Sequence, residues 1–382
     1  MTLTCRYIGI CGGCSLAEPY DAQLARKRAR LTGLLGIDVP PLLPSPRQSA
    51  FRQKAAFVFG SAPRGGGLLM GHYAARSRRV VAVEACPVHS VRANRIAFAL
   101  RDRLARAGVA AADRPGGVLR HLLVRTTEDD AEAVAMLVVS RNDTSLRAPV
   151  RGLLASPDAP DGFCLNVNRR PGPFMVGEDT LRIAGRRHVR ERGFAATPDG
   201  AAIDFLVSPD AFFQTNVGAA RTLVRLVLAS VPETGRVLDL YCGSGLFALP
   251  IARRGASVTA VEESRTAIAD LAANAKLNRL GRERVVPIAG RVEQVLDRLA
   301  RSRWDAVVLD PPRDGCAPGV IAAVFERLAP PLAVYVSCDP EVLAADLKAI
   351  RRAGYRVERV QAVDMFPHTE HIETVVTLRQ AR

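Results

Sequence analysis

The chain has 382 residues, of which 53 are Lys or Arg and 38 are Asp or Glu, so its net charge is +15. Hydrophobic residues make up 48% of the sequence, which excludes a disordered chain, a fibrous repeat and a disulfide-stapled miniprotein. The sequence has no apolar run long enough to span a bilayer and no signal-peptide pattern at its N-terminus, so we expect a cytoplasmic protein without a membrane span.

The positive charge lies mainly in the first part of the chain. Residues 1–213 contain 30 basic and 19 acidic side chains, whereas residues 214–382 contain 23 and 19. A basic first part favours an anionic polymer, such as a nucleic acid, as the partner.

Residues 1–213 show the pattern of an α+β domain. A basic amphipathic helix is predicted over 18–35 and a proline-rich segment follows at 40–46, so that about residues 17–49 form a helical linker. A further helix is predicted over 91–108. Strands are predicted over 55–60, 78–86, 118–125, 133–140 and 163–168.

Residues 214–382 alternate between apolar strands and helices. The strands are predicted over 236–241, 257–263, 284–290, 304–312 and 332–340, with two late strands over 355–366 and 373–379. This alternation predicts an α/β fold with a doubly wound sheet, in which ligands bind beyond the carboxyl ends of the strands.

The turn after the first of these strands has the pattern of a nucleoside-binding site. Residues 239–245 read DLYCGSG, in which Gly243 and Gly245 let a ligand approach the backbone. Glu262, nineteen residues after Gly243, ends the next strand and can accept both hydroxyls of a ribose. Because no third glycine opens the following helix, the pattern favours S-adenosylmethionine over a dinucleotide.

Two further strand ends carry reactive groups. Cys338 in VSCDP follows the fifth strand in a polar loop, which suits a nucleophile, although most free cysteines are small buried hydrophobes. Asp310 in LDPPR either binds a cofactor or a base edge, or caps the turn before two prolines. Arg313 stands where amino-group methyltransferases have an aromatic residue, which argues against N-methylation.

The segment HTEHIE at 368–373 precedes the last strand. Its histidines lack a third metal ligand at suitable spacing, so a general base near the cysteine loop is the more economical interpretation.

Four cysteines form a separate candidate site. Cys5, Cys11 and Cys14 are crowded at the start of the chain, and Cys86 is followed by proline. Three cysteines close together and a fourth, distant cysteine followed by proline favour ligation of an iron–sulfur cluster. A zinc site is the second interpretation, and a cluster of inert thiols is the third.

Taken together, these motifs resemble the TrmA/RlmC/RlmD family of RNA uracil-C5 methyltransferases over nearly the whole chain. The resemblance rests on the four cysteines and on the motifs FQTN at 213–216, DLYCGSG, VLDPPRDG, VSCDP and PHTEHIETV. It implies a class I S-adenosylmethionine-dependent, Rossmann-like catalytic domain over 214–382. An N-terminal domain over 1–213 would carry a [4Fe-4S] cluster and a basic RNA-binding surface.

The resemblance also implies roles for individual residues. Cys338 would add to uracil C6 and Glu373 would remove the C5 proton after methyl transfer. The cluster would be held by Cys5, Cys11, Cys14 and Cys86. The cofactor or the target base would be contacted by Gln214, Tyr241, Gly243, Gly245, Glu262 and Asp310. RNA phosphates would be held by the arginines at 26, 28, 30, 76, 78 and 79.

Within the family, the sequence favours the RlmC-type branch, which acts on 23S rRNA, because no β-barrel precedes Cys5 and the cluster cysteines are present. Leu246 departs from the Asn that many relatives carry. The alternatives are a tRNA m5U methyltransferase, an RNA C5-cytosine methyltransferase and a non-catalytic iron–sulfur RNA-binding protein. Glu373 and the cysteines favour uracil over cytosine. We expect a monomer.

Overall fold

The computed structural model describes residues 3–62, 67–170, 175–195 and 202–381, which contain two seven-stranded sheets and a hairpin. The strands are β1 Lys54–Ser61, β2 Leu68–Tyr73, β3 Val80–Ala82, β4 Leu119–Thr126, β5 Ala133–Val139, β6 Gly162–Val167, β7 Asp179–Gly185, β8 Val189–Ala195, β9 Ala202–Val207, β10 Arg236–Leu240, β11 Ser257–Glu262, β12 Val285–Ala289, β13 Ala306–Leu309, β14 Leu332–Ser337, β15 Tyr355–Val363 and β16 Glu373–Gln380. The helices are α1 Tyr20–Leu35, α2 Val91–Arg106, α3 Arg147–Leu154, α4 Val217–Ser230, α5 Ala248–Arg254, α6 Arg265–Leu277, α7 Val292–Leu299, α8 Val320–Ala322, continued by a π-helical turn Ala323–Leu328, and α9 Pro340–Arg352.

The first sheet has the strand order β3-β2-β1-β4-β5-β6-β7. Its pairs are antiparallel except for β5 with β6. The interior strand β5 is buried at every position, as its unbroken apolar sequence predicts. The strand predicted over 78–86 is wrong in extent, because only Val80–Ala82 is paired and the chain then turns at Pro87.

The second sheet has the order β12-β11-β10-β13-β14-β16-β15, which confirms the predicted doubly wound arrangement. Strands β10 to β14 run parallel to one another, and β16 runs antiparallel between β14 and β15. The chain order reverses at β10, and the carboxyl ends of β10, β11, β13 and β14 share one edge. The predicted sites DLYCGSG, Glu262, Asp310 and Cys338 all lie at this edge.

Helix α1 packs on the second sheet, although it precedes the first sheet in the chain. The apolar side chains of Leu31 and Leu35 belong to the same core as Leu238 in β10 and Val307 in β13. The predicted linker helix is therefore part of the core of the second sheet. Whether the domain boundary lies at residue 213 stays a prediction.

None of the helices in the described ranges is long and apolar enough to cross a bilayer.

Candidate active site and cysteine cage

The glycine turn after β10 is built around Glu262. The Glu262 carboxylate accepts a hydrogen bond from the backbone N–H of Gly243 at 3.1 Å and another from Ser264 at 2.8 Å. Gly243 and Gly245 have φ angles of 54° and 95°, which only glycine adopts without strain. A Cβ on Gly243 would meet no atom within 4 Å, so this side of the turn leaves room for a ligand. Binding of a ribose by Glu262 stays a prediction.

Two more carboxyl groups lie at this edge of the sheet. Asp239 is fully buried in β10, and Asp310, which directly follows β13, is partly buried. Burial raises the pKa of Asp310 to about 7. Burial raises the pKa of Asp239 well above its usual value, and repulsion from Asp310 and Glu262 adds to this shift. Such a group of acids suits a cationic, hydroxyl-bearing ligand, because burying like charges together is otherwise costly.

Asp239 is a site residue that sequence reasoning missed. Neither of its carboxylate oxygens has a hydrogen-bond partner within the described part of the chain. Buried carboxylates without partners are rare and point to a missing ligand or water. The available signal was a single acid inside the apolar strand RVLDL.

Tyr241 and Gln214 are placed near this edge by different elements. Tyr241 follows β10 with a φ of 63°, and its buried hydroxyl has no partner in the described residues. Burial raises the pKa of this hydroxyl. Gln214 is buried two residues before Asn216, whose side chain caps α4 and donates to the backbone carbonyl of Met365. The contacts of both side chains with a cofactor remain predictions.

The pairing of β14 with β16 brings Cys338 and Glu373 together. Ser337 in β14 pairs with Thr374 in β16, so the antiparallel register sets the next residue, Cys338, opposite Glu373. Asp339 then caps α9 by accepting the N–H groups of Glu341 and Val342, which fixes the turn after the cysteine. The two residues expected to act as nucleophile and base are therefore neighbours, although 35 residues separate them in the sequence.

The electrostatics of this pair favour its neutral form in the free protein. Burial, together with the Glu373 and Asp310 carboxylates, raises the pKa of the Cys338 thiol to about 12, and Arg313 opposes this shift. Burial and Asp310 raise the pKa of Glu373 to about 8, again against Arg313. The Cys338 sulfur must therefore lose its proton when it reacts.

The loop before Glu373 is held by side-chain contacts. His368 bonds to Gln23 and to the backbone carbonyl of Gln48, and a guanidinium nitrogen of Arg313 lies 2.7 Å from His371 Nδ1. The only group with metal-ligand geometry among the described residues lies elsewhere and does not include these histidines.

The four N-terminal cysteines converge on one small cavity, as predicted. Cys5, Cys11, Cys14 and Cys86 line it together, and all four are free thiols. Burial, together with charge on Cys86, Cys11 and Cys5, raises the pKa of Cys14 to about 12. We call these four residues the cysteine cage. The backbone of Cys11 forms an isolated antiparallel β-bridge with Ala74. The Asn94 side chain forms hydrogen bonds with the backbone N–H and carbonyl of Cys86, so both walls of the cage are fixed.

Three residues that line this cavity carry buried nitrogen atoms without partners. Arg52 Nε, His72 Nε2 and His89 Nδ1 are buried with no hydrogen bond inside the described ranges. Arg52 Nε–H is a donor, and leaving a donor buried and unpaired costs about 1–3 kcal/mol. A thiolate or sulfide would accept from Arg52, so the cavity fits an anionic, sulfur-rich group. His72, Cys86 and His89 also have ligand atoms within 4.8 Å of one another, which suits a single metal ion.

Half of the arginines predicted to hold RNA are already engaged. Arg26, Arg28 and Arg30 pair with Glu370, Asp38 and Glu341. The arginines at 76, 78 and 79 form an exposed basic turn next to the cysteine cage. An RNA-binding surface is therefore better sought at this turn than on α1.

Comparison with known proteins agrees with this geometry. The family model for tRNA (Uracil-5-)-methyltransferase matches residues 199–381. An uncharacterized RNA methyltransferase of Geobacter sulfurreducens is 35% identical over 390 residues, covering 98% of this chain and 76% of that protein. One from Gloeobacter violaceus is 33% identical, covering 97% and 81% respectively.

A solved structure also matches the chain over most of its length. The Pyrococcus abyssi tRNA (uracil-54, C5)-methyltransferase in complex with S-adenosyl-L-homocysteine is 28% identical with a TM-score of 0.78, covering 97% of this chain and 86% of that one. The fold is accordingly that of a class I S-adenosylmethionine-dependent methyltransferase. On these grounds the chain belongs to the RNA uracil-C5 methyltransferase family.

Proposed function

We propose that the protein methylates C5 of a uridine in 23S rRNA through a covalent adduct between Cys338 and uracil C6. The observation that carries this proposal is the β14–β16 register, which sets Cys338 opposite Glu373 at the edge where Glu262 closes the glycine turn. A nucleophile, a base and a nucleoside-binding acid then share one edge of the sheet.

Cys338 performs the first chemical step. Its sulfur bonds to C6 as the thiol proton passes to solvent, and the electrons of the C5–C6 double bond move toward the O4 carbonyl. C5 thereby becomes nucleophilic enough to accept a methyl group. The positive charge of Arg313 lowers the pKa of the Cys338 thiol and so favours loss of the thiol proton.

Glu373 performs the last chemical step. Its carboxylate takes the C5 proton, the C5–C6 double bond re-forms, and the C6–sulfur bond breaks to release Cys338. The raised pKa of about 8 gives Glu373 a basicity suited to this proton transfer near neutral pH. The target base must leave its stack to reach this edge, so an RNA loop or an opened stem is the expected substrate.

The remaining residues of the edge hold S-adenosylmethionine, which supplies the electrophilic methyl group. Glu262 retains lone pairs for the ribose hydroxyls, since its two backbone bonds use only part of its acceptor capacity. The unpartnered carboxylate of Asp239 suits the positive charge of the cofactor.

The cysteine cage is proposed to hold a [4Fe-4S] cluster. Four thiols supply its ligands, and Arg52 adds a positive charge that favours an anionic group over an isolated dication. Zinc bound to His72, Cys86 and His89 is the second candidate, because these ligand atoms lie close together. Metal and acid-labile sulfide analysis of anaerobically purified protein separates the two, since only the cluster contains sulfide.

A tRNA uridine is the second candidate substrate, supported by the similarity to the Pyrococcus abyssi tRNA enzyme. To decide, 5-methyluridine is mapped in 23S rRNA and tRNA from a strain that lacks the gene, before and after complementation. The Cys338→Ala variant serves as the control. Restoration in 23S rRNA alone supports the proposal, restoration in tRNA alone replaces the substrate, and restoration in neither refutes both.

A further inference from the structure

The position of Glu373 depends on the loop that precedes it. Residues 364–372 join β15 to β16, and Val363 pairs with Glu373 across the neck of this loop. A change in the shape of the loop would therefore move the Glu373 carboxylate. We call residues 364–372 the base loop.

One face of helix α1 holds the base loop along its length. Lys27 forms a fully buried ion pair with Asp364 at 2.6 Å and donates to the backbone carbonyl of Phe366. One turn away on the same face, Gln23 bonds to His368, and Arg30 donates to the backbone carbonyl of Glu370. Residues spaced by three or four positions share a helix face, which explains how one helix reaches the whole loop.

His368 is the point where these contacts meet. Its φ of 65° is a left-handed conformation that few residues other than glycine adopt. Its backbone N–H donates to Gln23 Oε1 at 2.9 Å, and Gln23 Nε2 lies 3.2 Å from its Nδ1. Its Nε2 lies 2.8 Å from the backbone carbonyl of Gln48. An unfavourable backbone conformation persists only where surrounding contacts determine it, and here both ring nitrogens and the backbone are engaged.

The cysteine cage reaches the same residue. The backbone carbonyl of His368 accepts hydrogen bonds from the N–H groups of Ser15 at 2.8 Å and Leu16 at 3.0 Å. Ser15 directly follows Cys14, which lines the cage. The cage is therefore connected to the base loop through the peptide bond between Cys14 and Ser15 and the two hydrogen bonds that His368 accepts.

We propose that His368 is a positioning residue for Glu373, held by Gln23 on one side and by the segment after Cys14 on the other. Filling the cage orders Ser15 and Leu16 and so stabilises the base loop. This proposal rests on the proposed function, because it assigns to the base loop the step that Glu373 performs. It predicts that loosening His368 slows proton removal while leaving addition of Cys338 to the base intact.

The test compares Gln23→Ala with a matched control on the same helix, Thr32→Ala, whose hydroxyl accepts a hydrogen bond from the backbone N–H of Val39 instead of contacting the base loop. An RNA fragment with 5-fluorouracil at the target reports adduct formation alone, because fluorine blocks the final deprotonation. The ordinary fragment reports release. In Gln23→Ala we expect formation within about twofold of wild type and release slowed by about tenfold or more, since small misplacements of catalytic groups have effects of this size.

Several outcomes would overturn the proposal. Equal losses in formation and release would indicate a general structural role, and unchanged release would show that the contact is dispensable. The variants at His368 provide a second measure. Asparagine tolerates the left-handed conformation and offers a side-chain amide for hydrogen bonding, so His368→Asn should release the RNA faster than His368→Ala. Equal release by these two variants contradicts positioning by His368.

The contribution of the cage is tested without activity. Hydrogen exchange of the peptide that spans 366–373 is measured in wild type, in Thr32→Ala and in Cys14→Ser, which removes one cage thiol. Faster exchange in Cys14→Ser alone supports the coupling, and equal exchange in all three refutes it. If the wild type forms no adduct with the fluorinated RNA, the proposed function itself fails, and the exchange result still decides whether the cage and the base loop are coupled.

Discussion

Replacing Glu373 by Gln tests the role of the base most sharply. Glu373 is 4% exposed and has a pKa raised to about 8, so in the wild type about one tenth of this group is ionised at pH 7 and about nine tenths at pH 9. Glutamine keeps the shape but cannot accept the C5 proton. We expect release of the RNA adduct to slow by about 10²–10⁴-fold, the usual contribution of a general base.

The assay follows a preformed adduct on denaturing gels after S-adenosylmethionine is added. Wild-type release should rise about tenfold from pH 7 to pH 9, because the raised pKa keeps Glu373 protonated at the lower pH. Glu373→Gln should accumulate the adduct at every pH. Glu358→Gln, an exposed glutamate of β15 paired with Arg379, is the matched control and should behave as wild type. Release in Glu373→Gln that matches the wild type in rate and pH dependence would refute the assignment.

Three further predictions concern packing, cofactor binding and RNA binding. Lys27→Met should lower the free energy of unfolding by about 3–5 kcal/mol in urea titrations, because it leaves Asp364 buried without its partner; a loss below about 1 kcal/mol would contradict the importance of this pair. Glu262→Gln should weaken S-adenosylhomocysteine binding in calorimetry by about tenfold or more, since charged hydrogen bonds contribute about 1.5–3 kcal/mol; unchanged affinity would remove Glu262 from the site. Arg78→Ala should reduce the slope of log affinity against log salt by about 0.7–0.9, the contribution of one phosphate contact; an unchanged slope would place the RNA elsewhere.

Much of the second sheet could be predicted because each element carries its own local signal. Strands β10 to β14 are apolar runs bounded by turn residues, and parallel strands place all their carboxyl ends at one edge. Glu262, Asp310 and Cys338 each follow or end such a strand, so their convergence followed from the strand order alone.

The meeting of Cys338 with Glu373 could not be derived in this way. It depends on β16 inserting between β14 and β15, an order that the apolar pattern of late strands does not specify. At the level of sequence, the HTEHIE segment was interpreted as carrying a general base near the cysteine loop, and only the family resemblance identified that base as Glu373. The packing of α1 on the second sheet was missed for a similar reason, since the buried role of Gln23 and Lys27 becomes visible only when Asp364 and His368 lie opposite them.

The covalent bond between the protein and the target base is the central claim, and one measurement tests it directly. The protein is trapped on RNA that contains 5-fluorouracil, digested with protease and nuclease, and analysed by tandem mass spectrometry. We predict one nucleotide joined to the sulfur of Cys338. An adduct on another residue, or methylation that proceeds at normal rates in Cys338→Ala, would contradict the account.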